Sequence, residues 1–456
     1  MENIIKINDV VLLTIKRLGI NGEGIAYYKR LAVFIPGAIV SEEVEVKITK
    51  VEEKYAYGEI VKIKKPSDKR VTPPCPYYGK CGGCQLQHMT YEEQIAQKKN
   101  MVVETFNRYY EGDLTKFRIL DTIGMETPFY YRNKTQLPTR HDGEKVVVGM
   151  YAINSNRLVY IDHCLMENPL VSKIIKLVCA YLTASEINVF NPKFQQGNLR
   201  YLVVRAFEET NEAQVSFVLR EEEPRIIKIL RKTINIEGVK SVSYSINADL
   251  KAVEIINGPV IHLEGTTKIQ GLLKDLPFTI SPDAFFQLNT KQTINLYEQI
   301  KKSANLKGYE KVLDLYCGIG SIGLYLAHQA KEVRGIDISK ESILNAKEFA
   351  AMNKITNASF YYGNILPHLN HFTEEGFIPD VLIIDPPRRG VELNILNYIQ
   401  KNQVKKIIYV SCNPATLVKN LNHLQKNYSI KFVQPIDMFP NTAHVECVTL
   451  MSRVKD

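Results

Sequence analysis

From residue 311 to the end, the chain alternates short apolar runs with amphipathic stretches, and its first run ends in a glycine-rich turn. The runs lie at 311–317, 332–338, 358–362, 380–385, 405–412, 428–439 and 444–452, and helical patterns such as 321–329 and 340–353 fill the first gaps. Strands alternating with helices of these lengths predict an open parallel sheet. The last two runs leave no room for a crossover helix, so they are expected to pair as an antiparallel hairpin. The turn itself reads Asp314-Leu315-Tyr316-Cys317-Gly318-Ile319-Gly320-Ser321-Ile322-Gly323. Its glycines permit a tight bend and close approach of a ligand to backbone.

The spacing Gly318-x-Gly320-x-x-Gly323 also fits a dinucleotide fingerprint, and Asp337 ends the next run where it can accept from ribose hydroxyls. The turn therefore does not separate S-adenosylmethionine (SAM) from a nicotinamide cofactor. Asp385-Pro386-Pro387, at the end of the fourth run, favours SAM. Two further segments bear on chemistry. Ser411-Cys412-Asn413-Pro414 joins a strand to a helix, with Asn as N-cap and Pro at the first helical position. Cys412 is thus expected at a helix N-terminus, where partial positive charge favours a thiolate. A buried cysteine at a strand end is the plainer alternative. His444-Val445-Glu446 opens the last run. Glu446 is a candidate general base, the plainer role being a solvated strand-end carboxylate; for His444, capping or structure competes with chemistry. A thiolate, a proton acceptor and a SAM site together point to carbon methylation of a pyrimidine. The thiolate adds at C6, C5 then takes the methyl group, and a base removes the C5 proton. Cys179, Cys317 and Cys447 read as packing residues.

The remaining chain supplies context. A length of 456 residues suggests two to four domains, and 45% hydrophobic with 23% charged residues is a globular balance. Strand-like runs with Gly/Pro punctuation over residues 8–64 predict a small β-barrel, followed by a basic, proline-flanked linker. Cys75, Cys81 and Cys84, with glycines between the last two, form a compact thiol group with Cys164 as a distant fourth, a pattern open to zinc or iron–sulfur. Residues 126–265 read as mixed α+β. The expected domains are 1–64, 65–265 and 266–456, with a helix over 90–112 packing on the last. A net charge of +9 suits a polyanionic partner without establishing one. No apolar run is long enough to span a membrane and residues 1–30 lack a secretory pattern. A reducing cytoplasm is the expected compartment, and a monomer the expected state.

These motifs together resemble the RNA (uracil-5-)-methyltransferases, specifically the branch acting on 23S ribosomal RNA. The resemblance implies an N-terminal TRAM barrel, a central iron–sulfur domain and a class I SAM-dependent methyltransferase domain with a Rossmann-like seven-stranded sheet. It implies that Cys75, Cys81, Cys84 and Cys164 ligate a [4Fe-4S] cluster, that Cys412 is the nucleophile and that Glu446 is the base. Phe285-Phe286-Gln287-Leu288-Asn289 is similar to the family's F-x-Q-x-N segment, in which Gln287 would contact cofactor. Tyr316, Gly318, Ser321, Asp337, Asn364 and Asp385 fall at further cofactor positions. Asp337 stands where Glu is frequent, Ser321 where Asn is frequent, and Asn364 where Asp is usual. Tyr131-Arg132-Asn133-Lys134 also matches, so Arg132 and Lys134 are candidate RNA contacts, and Phe285 a candidate to stack on a flipped base. Three alternatives stand beside this: a tRNA substrate, an amino-methyltransferase, and a non-catalytic iron–sulfur RNA-binding protein. Arg388 after the prolines, where amino-methylation usually has an aromatic residue, speaks against the second.

Overall fold

The computed structural model describes residues 5–252, 254–402 and 404–454. The glycine-rich turn belongs to an eight-stranded sheet. Its order is Ala358–Tyr362, Glu332–Asp337, Lys311–Leu315, Val381–Ile384, Lys406–Ser411, Glu446–Arg453, Tyr428–Ile436 and Arg118–Ile119. The first five strands are mutually parallel, and Glu446–Arg453 runs antiparallel to both its neighbours. The seven-strand plan with a terminal hairpin is thus present, and the short edge strand Arg118–Ile119, from far upstream, extends it. Strand order reverses around Lys311–Leu315, which opens a crevice at the carboxyl ends of the strands.

Both faces of this sheet are covered, and its inner strands are accordingly largely apolar; all four residues of Val381–Ile384 are buried. One face packs on the helices Thr290–Ala304, Ser321–Leu326 and Lys340–Met352. The other packs on Ile365–Glu374, Leu393–Lys401, Pro414–Leu424 and the upstream helix Tyr91–Tyr109, which contributes Val102 and Phe106. Tyr91–Tyr109 starts where the Thr90 side chain accepts a hydrogen bond from the Glu93 amide, with Glu92 and Glu93 facing the positive end of the helix. Lys98, from the middle of this helix, forms an ion pair with Asp437 at 2.5 Å, and both side chains are fully buried. Tyr91 donates to the same carboxylate at 2.9 Å. Lys98→Met would leave that charge without its cation, so we expect a loss of about 3–5 kcal/mol, read from denaturant midpoints. The double variant Lys98→Met/Asp437→Leu should recover most of it; equal stability of the single variant and the parent would refute this.

Upstream, six strands between Val10 and Lys65 form a separate curled sheet. Alternation along Glu43–Val51 turns Val44, Val46 and Ile48 inward onto Ile15, Val33, Ile35 and Ala56. A seven-stranded sheet follows, formed from strands between Lys134 and Gly265, and the helices Pro169–Ala184 and Pro224–Arg231 pack on one of its faces. The first of these helices starts as expected for Asn-Pro: Asn168 accepts from the Val171 amide at 2.8 Å and Pro169 takes the first helical position. Among the described residues, no helix is long and apolar enough to cross a membrane.

Candidate active site

A cleft of about 1130 Å³ opens at the carboxyl edge of the large sheet. Five consecutive strand ends of the chain reach it, and the start of the last strand joins them. The glycine turn supplies Tyr316 and Gly318, and the next strand ends in Asp337. Gly318 has φ +53°, and a side chain there would project into open space, leaving room for a ligand against the backbone. Its amide donates to the Asp337 carboxylate at 2.9 Å, and the Ser339 amide donates to the other oxygen at 2.8 Å. Tyr316 adopts φ +62°, a strained conformation for a non-glycine residue, and its hydroxyl donates to Glu392 at 2.9 Å. Gly363 and Asn364 follow the outermost strand into the cleft.

The candidate reactive side chains sit at the next two strand ends and at the start of the last strand. Asp385 to Arg388 follow Val381–Ile384, Cys412 follows Lys406–Ser411, and Glu446 opens Glu446–Arg453; all line the cleft. In the sheet register Ser411 lies opposite Cys447, so Cys412 and Glu446 leave the same edge side by side. Asn413 caps the helix Pro414–Leu424 by accepting from the Ala415 amide at 3.1 Å. The thiol nevertheless does not sit below its ordinary pKa. Burial, followed by the nearby Glu446, pushes Cys412 up to about 11, and only Arg388 acts strongly the other way. Burial of the thiol at the strand end, more than the carboxyl groups beside it, sets this direction. Burial raises Asp385 to about 7. Burial and then Asp385 push Glu446 well up, against the opposing Arg388 cation. His444 is depressed by burial and by Arg388, and its Nδ1 stands 3.0 Å from an Arg388 Nη, as suits a neutral imidazole accepting from the guanidinium.

Residues from outside the sheet complete the walls. Phe285 and Gln287 enter just before the helix Thr290–Ala304, and Arg132 enters from the middle of the chain. Phe285 is 66% exposed, its ring open to solvent at the cleft wall. Two expected site residues lie elsewhere. Ser321 is buried behind the turn, its hydroxyl 2.6 Å from that of Tyr297. Lys134 donates to the Pro282 carbonyl at 3.3 Å, and burial lowers it to about 7. Sequence reasoning missed Glu392, which fixes Tyr316 and Arg389, because it belongs to no motif. It also missed Gly82, Gly83 and Gln85, which line the cleft although they belong to the cysteine loop.

Cys75, Cys81, Cys84 and Cys164 line one adjoining cavity, with Arg132 between it and the cleft. All four thiols are free, and among the described residues no three His, Cys, Asp or Glu side chains are gathered tightly enough to hold a metal ion. Burial raises Cys84 to about 11 and Cys164 to about 12. The Arg132 Nε is buried without a hydrogen-bond partner.

Comparison with known proteins agrees with this architecture. Residues 239–362 and 366–454 match the family described as tRNA (Uracil-5-)-methyltransferase, and residues 6–61 match the TRAM domain. An uncharacterized RNA methyltransferase of Bacillus cereus is 41% identical over 99% of this chain and 98% of its own length. One from Halalkalibacterium halodurans is 42% identical over 96% and 95%. Among solved structures, the Pyrococcus abyssi tRNA (uracil-54, C5)-methyltransferase in complex with S-adenosyl-L-homocysteine superposes with a TM-score of 0.76. It is 25% identical and covers 97% of this chain and all of its own. A SAM-dependent methyltransferase sheet, a TRAM domain and full-length kinship at this level place the chain in the RNA uracil-5-methyltransferase family.

Proposed function

We propose that this protein methylates C5 of uridine in 23S ribosomal RNA through a covalent Cys412 adduct, with Glu446 as proton acceptor. The convergence of Cys412, Asp385, Arg388 and Glu446 on one cleft carries the reading. SAM supplies the methyl group, and Gln287, Tyr316, Gly318, Asp337, Asn364 and Asp385 would hold it; the open space over Gly318 and the Asp337 carboxylate suit an adenosyl ligand. Ser321 would act only indirectly, through Tyr297. In this reading the Cys412 sulfur adds to C6 of a flipped uracil, and Arg388 favours the thiolate that does so. After methyl transfer, Glu446 takes the C5 proton, the C5–C6 double bond re-forms and the sulfur leaves. Phe285 and Arg132 border the space for the base; Lys134 would support that wall from behind.

Cys75, Cys81, Cys84 and Cys164 would hold a [4Fe-4S] cluster. Such a cluster takes one thiolate per iron, and all four cysteines line this one cavity. The domain division we propose is residues 1–64, 65–265 and 266–456, with Tyr91–Tyr109 and Arg118–Ile119 lying on the catalytic sheet. A cytoplasmic monomer fits this activity.

The test is incubation with SAM and unmodified 23S and transfer RNA transcripts, followed by nucleoside analysis. 5-Methyluridine in the ribosomal transcript is expected. Its appearance in transfer RNA alone would favour the second reading, which the Pyrococcus likeness supports. About four irons per chain and brown absorbance are expected for the purified protein, and absence of both would remove the cluster. The raised thiol also predicts a pH dependence. With Cys412 near 11, thiolate is the minor form at neutral pH, so adduct formation with 5-fluorouridine RNA should rise about tenfold per pH unit between about 7 and 9. Arg388→Met removes the cation that favours the thiolate and should slow the reaction at every pH in that window. A flat profile for the parent protein would contradict this.

A further inference from the structure

We propose that Gln85, in the cysteine loop, is a positioning residue for proton removal: it holds in place the segment that delivers Glu446. This rests on the reading of Glu446 as proton acceptor. The segment joining the two strands of the terminal hairpin, residues 437–445, has no regular structure of its own, so its path is set by what it touches. Glu446 is pinned on its carboxyl side by sheet pairing, with Ile436 opposite, but the approach from Ala443 through His444 and Val445 has no such ladder.

The cysteine loop supplies the missing anchors. The amides of Gln85 and Leu86 both donate to the Asn441 carbonyl at 3.0 Å. The Gln85 side chain accepts from the Ala443 amide at 3.4 Å and donates to the Gly82 carbonyl at 3.0 Å. Ala443 is buried, so without Gln85 that amide would lose the acceptor it has among the described residues. Asn441 itself is held at φ +67°, an uncommon conformation that persists because Gln94 and the Pro128 carbonyl bind it from two other sides. Behind the junction Gly22 leaves no free volume: a side chain there would lie 3.0 Å from Gln85 and 3.2 Å from Ala443. The base-bearing segment is therefore cast against the cysteine loop, one residue from Cys84. Cys412, by contrast, stands on a different strand end with its own helix cap, and no bond of Gln85 reaches it.

This separation predicts a selective defect. Addition of the Cys412 sulfur to C6 and methyl transfer to C5 should survive loss of Gln85. The step that should slow is the last one: the C5 proton passes to the Glu446 carboxylate, the C–H electrons form the C5–C6 bond, and the C6–S pair returns to sulfur. The methylated adduct should then accumulate on ordinary uridine RNA.

The experiment compares full-length wild type with Gln85→Ala and Gln85→Met, the second keeping side-chain length without the hydrogen bonds. 5-Fluorouridine RNA carries no C5 proton and reports addition and methyl transfer alone. Its adduct is expected to form within about twofold of the wild-type rate, while kcat on ordinary RNA falls at least about tenfold with little change in KM. A denaturation-stable adduct with ordinary RNA should appear in both variants, and amides 441–446 should exchange faster while 412–420 do not. Equal slowing of fluorouridine adduct formation and turnover, or a change in KM alone, would overturn the proposal. Failure of the wild type to form the fluorouridine adduct would instead overturn the thiolate reading beneath it.

Discussion

Cys412→Ala is expected to abolish turnover on uridine RNA and the denaturation-stable adduct with 5-fluorouridine RNA. C5 of uracil is a poor carbon nucleophile until something adds at C6, and among the cleft's side chains Cys412 is the one thiol. Removing a covalent nucleophile whose partners cannot act alone costs at least about 10⁴-fold in kcat. Affinity for S-adenosylhomocysteine should hold within about twofold, because the adenosyl wall is built from other strand ends and binding energy there is independent of the thiol. The pair of measurements separates chemistry from folding. A variant that still turns over at a tenth of the parent rate, or more, would exclude the adduct mechanism. One that loses cofactor binding as well would show only that the site had collapsed.

Glu446→Gln should behave in the opposite sense with respect to the adduct. The amide keeps the size of a side chain that is buried at the strand end, but it cannot accept a proton from C5. Addition and methyl transfer precede that step, so the protein–RNA adduct should build up on ordinary uridine RNA with one methyl group per adduct. Steady turnover should fall by about 10²–10⁴-fold. The adduct with 5-fluorouridine RNA, which has no C5 proton to lose, should form within about twofold of the parent rate. Slower formation of that adduct would mean that Glu446 assists addition and not release. No accumulation on ordinary RNA, with turnover intact, would pass the base role to another group in the cleft.

The glycine turn, Asp385-Pro386-Pro387 and Ser411-Cys412-Asn413-Pro414 were legible because each is written in local physics: a strand, then residues that bend or cap, then a helix. Such segments land at the carboxyl edge of a parallel sheet wherever they occur. Asn413 and Asn168 cap their helices as their types and neighbours required. The eighth strand was not legible, since two residues at 118–119 carry no periodicity and pair only because the upstream helix brings them to the sheet edge. For Lys134 and Ser321 the motif gives the segment but not the partner: the first donates to the Pro282 carbonyl and the second meets the Tyr297 hydroxyl. The sign of the Cys412 shift was missed for a related reason. A helix end is visible in sequence, whereas the burial and carboxylates that overcome it are contributed by other strands.

Periodicity and local motifs alone determined that this chain builds an open α/β sheet behind a small β-structure, with the glycine turn, Asp385-Pro386-Pro387 and Ser411-Cys412-Asn413-Pro414 at its strand ends. Those features depend on contacts within about ten residues, so the order of residues suffices to reveal them. Only the tertiary structure decided that the cysteine loop forms a wall of the catalytic cleft, that Arg132 stands between the two cavities, and that Lys98 is buried against Asp437. These contacts join positions separated by as many as 358 residues, as between Gln85 and Ala443. No local pattern records such a pairing, because the geometry that makes it arises only when segments far apart in the chain have packed together.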